Sequence, residues 1–399
     1  MSRHAALARR NAALAAQRHT RTLREQARSL LLRLIAALPV PSAQSDGRTI
    51  LLVRPDHLGD VLLTGPAIEA LSRAAPGARL VALVGPWSAG VISAFPQVDL
   101  TLTLPFPGFA RRPGGISARP YWQAWRWAGQ LRQLRAEAAI IFRPDHWWGA
   151  MLTCLAGVPR RVGFALPDVS PFLNEAIPFS GGHAVEHNLA LVRPWTGTTP
   201  PGTAINVRFP VEEPDRQYIR QKLGESGFPE GAPRVIIHPG SGTAVKQWDP
   251  AHWARVADHL AGIWGAPILF TGSDRELRMI RQITDRMASP AILLAGETNV
   301  RQLAALYEGA QVVLGPDSGP LHLAVAVGTP TVHLYGPADP AEFGPWGEPT
   351  RHAVLTSDIA CRPCRILDWS GDDPANHPCV RDIPPEDVIA AALRVTGEA

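Results

Sequence analysis

The chain has 399 residues, 46% of them apolar and 19% charged, with a formal net charge of +4 and four cysteines. That length suits two domains, each with its own core, and the composition is that of a soluble globular protein. No apolar run reaches the roughly 18 residues a membrane-spanning helix needs, and the arginine-dotted N-terminus is no secretory signal.

The charge is unevenly placed. Residues 1–40 hold eight arginines and one acid, Glu25, so this stretch carries +7 and the remainder about −3. Leu23, Ala27, Leu30, Leu31 and Leu34 recur at helical spacing among Arg21, Arg24, Arg28 and Arg33. This predicts a basic amphipathic arm, residues 1–45, with an anionic membrane surface as partner and a partly disordered or partner-docking extension as the alternative. The body of the chain shows no interleaved basic and aromatic surface, so nucleic acid is not expected.

From residue 49 onward, strands alternate with helices. Thr49–Val53 reads as a buried strand, followed by the loop Arg54-Pro-Asp-His-Leu-Gly-Asp60 and a helix reaching about Ala75. Strands at 80–84, 100–104 and 139–142 and a helix over 122–137 continue the pattern, with a Pro- and Gly-rich loop over 106–120. The Arg54-Pro-Asp-His run is echoed by Arg143-Pro-Asp-His, without a second carboxylate at the position matching Asp60. A Pro/Gly/Thr-rich break near 194–233 marks a domain boundary, and the alternation then restarts with strands at 234–238, 267–271, 292–294 and 312–314. The order predicts two doubly wound parallel-sheet domains, 46–205 and 206–345, with a cleft between their sheet edges and a tail over 346–399.

Two glycine turns follow strands in the second domain: Gly240-Ser241-Gly242-Thr243, with Lys246 just beyond, and Gly315-Pro-Asp317-Ser318-Gly319 leading into a helix. Unpaired N–H groups at such turns suit a phosphate, and a lysine ammonium suits a diphosphate. Only two of the 39 basic residues are lysines, which gives the placement of Lys246 weight. Neither turn is a Walker A loop or a dinucleotide fingerprint, and no Asp-x-Asp pair suggests a metal-chelated nucleotide. Asp60, at a strand-to-helix turn, is the candidate general base, with His57 in reserve; Asp60 and Asp317 could equally be helix caps. Cys361-Arg-Pro-Cys364 with Cys379 and His377 could form a tetrahedral structural site for zinc or iron, against a disulfide or simply packed thiols.

Taken together, these motifs resemble glycosyltransferase family 9, the ADP-heptose:lipopolysaccharide heptosyltransferases, from about residue 49 onward. Arg54 to Asp60 resembles the family's first loop, His238-Pro-Gly-Ser-Gly with Lys246 and Trp248 its diphosphate turn, and Gly315 to Ala324 its donor signature. The resemblance implies a GT-B fold and inverting, metal-independent transfer of heptose from ADP-heptose to a hydroxyl of a lipopolysaccharide-core-type or related glycan, with Asp60 and Lys246 catalytic. Donor contacts would come from Gly240, Ser241, Gly242, Thr243, Thr271, Gly272, Ser273, Glu297, Asp317, Ser318, Gly319 and His322. Acceptor contacts would come from His57 and, on the echoed turn, from Arg143, Trp147 and Trp148, for which core or rim packing is an equal alternative. The expected location is cytoplasmic, peripheral at the inner membrane face; a silent nucleotide-sugar-binding scaffold and a GT-B-like epimerase are the alternatives.

Overall fold

The computed structural model describes residues 3–20, 22–109, 119–197, 206–369 and 371–398. Residues 110–118 of the Pro/Gly-rich loop lie outside them. The chain forms two compact units, residues 21–205 and residues 206–399 with 1–20.

The first unit carries strands β1 (Thr49–Arg54), β2 (Arg79–Val84), β3 (Leu100–Thr103), β4 (Ala138–Ile141), β5 (Arg160–Phe164) and β6 (Glu175–Ile177). They form a parallel sheet in the order β3-β2-β1-β4-β5-β6. Its helices are α2 (Leu23–Ala36), α3 (Leu58–Leu62), α4 (Gly65–Ala74), α5 (Ala89–Ile92), α6 (Arg119–Arg132), α7 (Trp147–Leu155) and α8 (Ala184–Thr196), with α1 (Arg3–His19) assigned to the other unit. β1 is buried throughout and pairs with both neighbours, Val53 standing opposite Leu83 and Ile141. A parallel strand covered on both faces needs a continuous apolar run, and Thr-Ile-Leu-Leu-Val is one.

The second unit repeats the plan with β7 (Val235–Ile237), β8 (Ile268–Phe270), β9 (Ala291–Leu293), β10 (Val312–Pro316), β11 (Thr331–Tyr335) and β12 (His352–Thr356), ordered β12-β11-β10-β7-β8-β9. Its helices are α9 (Glu213–Glu225), α10 (Pro250–Trp264), α11 (Leu277–Thr284), α12 (Val300–Tyr307), α13 (Gly319–Ala326), α14 (Pro340–Phe343) and α15 (Pro385–Thr396). Asp249 caps α10 by accepting from Ala251 N, Pro250 opens it, and Gly265 at φ 61° ends it. In each sheet the strand order reverses once, between β1 and β4 and between β7 and β10. Ligands of doubly wound sheets bind beyond the carboxyl ends of strands at such a reversal, so these four ends are where chemistry belongs.

Two expected segments are not separate. Residues 346–399 are integral to the second unit: β12 pairs with β11, and α15 buries Val388, Ala391, Ala392 and Val395 in its core. Residues 1–45 are divided between the units. α1 buries Ala8 and Ala15 and ties to the second unit through Arg10–Asp372, Asn11 to the Asn376 carbonyl and His4–Asp382. α2 buries Leu32 and binds Asp168 of the first unit through Arg28 and Ser29. Among the described residues, no helix is long and apolar enough to cross a membrane.

Candidate active site

In the first unit, Arg54 ends β1 and Arg143 follows the adjacent β4. Both guanidiniums converge on Asp56, which is 2% exposed: Arg143 Nη1 donates to Oδ1 at 2.5 Å and Arg54 Nε lies 3.1 Å from Oδ2. Burial pushes the Asp56 carboxyl up, but the two cations outweigh it and hold it below its ordinary range. Trp87 Nε1 and Ser88 Oγ donate to the Asp56 carbonyl, so the turn's backbone is pinned as well. Asp60 does not cap α3. His57 holds the cap position, and Asp60 lies in the first turn, its side chain 35% exposed, with Arg54 Nη2 3.5 Å from Oδ1. Arg54 therefore bridges a buried carboxylate that anchors it and an accessible one that it orients.

The echoed turn lands on the neighbouring strand end with its inner and outer residues exchanged. His57 is exposed and 5.4 Å from the Trp87 ring. His146 is buried among Phe106, Phe109 and Trp148 with neither ring nitrogen hydrogen-bonded, and burial lowers its pKa to about 4. Gly149 stands at the position matching Asp60, where a Cβ would meet His146 Nδ1 at 2.5 Å and Val53 Cγ1 at 2.9 Å. No carboxylate fits there.

Two of the residues weighed as acceptor contacts take the packing alternative. Trp148 is 2% exposed, packs edge-on to Phe106 and donates its indole N–H to the Pro120 carbonyl, so it is core. Trp147 lies between Arg28 of α2 and Tyr121 of α6 and serves helix packing. His57 and Arg143 remain at the strand ends. Arg54 and Asp56 were not singled out as site residues from sequence, although charged residues closing an apolar strand are the signal that marks them.

In the second unit, interlocked turns follow β7, β8, β9 and β10. Glu276 accepts from Ser273 N and Oγ while lying against Gly240, where a Cβ would come within 1.8 Å of Oε1. Gly296, at φ 79°, packs on Asp274, and Gly315 packs on the His238 carbonyl, each too closely for a side chain. His238 Nδ1 meets Thr271 Oγ1 at 3.0 Å, and Thr271 Oγ1 meets the Tyr307 hydroxyl at 3.1 Å; burial lowers the His238 pKa to about 4. Lys246 Nζ donates to Asp317 Oδ2 at 2.5 Å, with side-chain exposures of 14% and 8%. His322 Nε2 is 3.9 Å from the other Asp317 oxygen.

Asp317 is therefore not a cap but the partner that aims Lys246. Ser318 occupies the N-cap of α13 without a side-chain bond, and its buried Oγ, like Thr243 Oγ1, has no hydrogen-bond partner. Two orphaned hydroxyls beside an ammonium that retains further N–H donors can accommodate an oxygen-rich anion such as a diphosphate. Ser241 Oγ instead donates to the Thr243 carbonyl, and the Glu297 carboxylate is held by Lys222 Nζ at 2.6 Å, so both serve turn geometry. Trp248, quoted with the diphosphate turn, is core: it packs on Trp253 and donates to the Ile383 carbonyl.

The four residues expected to hold a structural metal do not form a ligand set. Cys361, Cys364 and Cys379 line one cavity of about 10 Å³ with His377, but His377 Nε2 is engaged by Asp372 at 2.9 Å and its ring stacks on Trp369. Asp372 in turn takes Arg10 of α1, so His377 supports helix docking. Burial, with the neighbouring cysteines adding to it, pushes the Cys379 thiol up to about 12 and raises Cys361. Among the described residues, no group of three or more His, Cys, Asp or Glu is arranged to hold a metal ion. All four cysteines are free.

Two doubly wound units with charged, glycine-lined turns at their strand reversals are the architecture of the GT-B fold. Within that fold class the chain belongs to glycosyltransferase family 9 (heptosyltransferase), whose profile matches residues 125–367. It is 27% identical over 297 residues to lipopolysaccharide heptosyltransferase 3 of Escherichia coli, covering 72% of this chain and 83% of that one. Its fold is similar to that of E. coli ADP-heptose lps heptosyltransferase II, with a TM-score of 0.69 at 22% identity over 88% of this chain and all of the other. It is also similar to the dodecameric iron-containing heptosyltransferase TibC of enterotoxigenic E. coli, solved with ADP-D-beta-D-heptose, with a TM-score of 0.54 at 15% identity over 91% and 80% of the two chains.

Proposed function

We propose that the protein transfers heptose from ADP-heptose to a hydroxyl of a lipopolysaccharide-core-type acceptor, with inversion at the anomeric carbon and no metal in the reaction. In this reading the acceptor O–H loses its proton to Asp60 as its oxygen bonds to the anomeric carbon. The bond from that carbon to the diphosphate oxygen breaks, and ADP leaves with the electron pair. Lys246, the Ser318 and Thr243 hydroxyls and the neighbouring backbone amides take up the growing diphosphate charge. Arg54, anchored by Asp56, orients the base, and Arg143 and His57 meet the acceptor.

The observation that carries the reading is the Lys246–Asp317 pair beside two orphaned buried hydroxyls at a strand reversal. The names of the relatives support the choice of sugar and acceptor, and family membership favours transfer over a silent scaffold. The test is ADP release from ADP-heptose with a deacylated lipopolysaccharide-core acceptor, beside ADP-glucose and UDP-sugars. Acceptor-dependent release from ADP-heptose alone is expected, falling about 10²-fold or more in Lys246→Ala. Equal turnover of all donors, or an unaffected Lys246→Ala enzyme, overturns the assignment.

A further inference from the structure

Seven of the eleven large apolar side chains exposed among the described residues lie on or beside two helices of the first unit: Leu23, Leu30, Leu31 and Leu34 on α2, Leu38 just after it, and Trp122 and Trp125 on α6. At 3.6 residues per turn, the four α2 leucines and Ala27 fall within a sector of roughly 100°, with the fully buried Leu32 on the opposite side. Arg24 lies on one flank of this stripe and Arg33 on the other. Glu25, the only acid of α2, is occupied in a capping box with Thr22.

α6 repeats the arrangement. Ala124, Ala128 and Leu131 are buried on one side, while Trp122 (56% exposed), Trp125 (70% exposed) and Arg126 occupy the other. The helix contains three arginines and no acid, and the Arg126 guanidinium lies 5.6 Å from the Trp122 ring centre. α2 and α6 meet the same residue of α7: Arg28 lies over the Trp147 ring at 5.8 Å, and the Tyr121 ring lies tilted against it at 5.7 Å. Each helix already buries one face in the core, so the outer leucines and indoles are not needed for folding.

We propose that the outer faces of α2 and α6 form one docking surface for an anionic lipid bilayer. Leucines and indoles would enter the boundary between headgroups and acyl chains, while the flanking arginines meet lipid phosphates. Charge selects this occupant over a second copy of the chain, because apposing two such faces would set arginine against arginine without a carboxylate between them. α1 takes no part, since it is tied to the second unit. The proposal is independent of the identity of the sugar donor.

The test is cosedimentation of the full chain with phosphatidylcholine vesicles, with and without phosphatidylglycerol. Partitioning onto the anionic vesicles should be at least about tenfold stronger and weaken with salt. Leu30→Glu with Leu34→Glu, and separately Trp122→Ser with Trp125→Ser, should each reduce it by about tenfold or more, with thermal unfolding unchanged because these side chains are exposed. Equal binding to both vesicle types, or variants that bind like the parent protein, overturns the proposal. So does a leucine variant that dissociates an oligomer in sedimentation velocity while the parent protein ignores vesicles, which would assign the face to self-association.

Discussion

The two Arg-Pro-Asp-His turns of the first unit share a sequence and a sheet and differ in what they present. In the turn after β1 the aspartate is buried beneath two arginines, the histidine is exposed, and α3 offers Asp60 at its first turn. In the turn after β4 the aspartate is exposed, the histidine is buried among aromatic rings, and Gly149 leaves no room for a side chain. Identical motifs thus acquire opposite roles from their neighbours: one turn displays an acid, and the other buries its histidine among aromatic rings and sends Arg143 across to hold Asp56.

The strongest way to break this division is Asp56→Ala. It leaves two guanidiniums without their buried counter-charge and should lower unfolding free energy by about 3–5 kcal/mol, measured by denaturant titration. A loss below about 1 kcal/mol would mean that Asp56 does not organise the turn. Gly149→Ala should cost less, about 1–3 kcal/mol, because His146 or β1 must shift to admit the methyl group. If Gly149→Ala is neutral, the missing carboxylate of the second turn has another cause.

The smallest effect sharpens the contrast through pH. His146 and His238 have folded pKa values near 4 against an ordinary 6.5, so the unfolded chain binds more protons between those values. Their contribution is complete above pH 6.5 and is lost as pH falls towards 4. Melting temperature should therefore drop across that window, and His146→Gln should flatten the drop by about one proton's worth.

Much of this was legible in the sequence because parallel strands covered on both faces must be continuous apolar runs, as in β1 and β10. β5 and β6 were not legible for the opposite reason: Arg160 and Glu175 pair across them, so their ends read as polar. The leucine spacing of α2 showed an amphipathic helix but not that its leucines face outward, since the pattern is the same for a buried face. Trp148 stayed open between acceptor contact and packing because a tryptophan after a strand does not reveal its direction. Lys246 and Asp317, 71 positions apart, were singled out separately, and only the fold shows them paired.

The most direct test of the account is Asp60→Asn, which removes the charge proposed to accept the proton while keeping size and shape. Transfer from ADP-heptose is predicted to fall about 10³-fold in kcat, with ADP affinity by calorimetry within about twofold of the parent protein, because the turns proposed to hold the nucleotide belong to the other unit. Undiminished transfer, or a loss of activity explained entirely by lost ADP binding, would contradict the account.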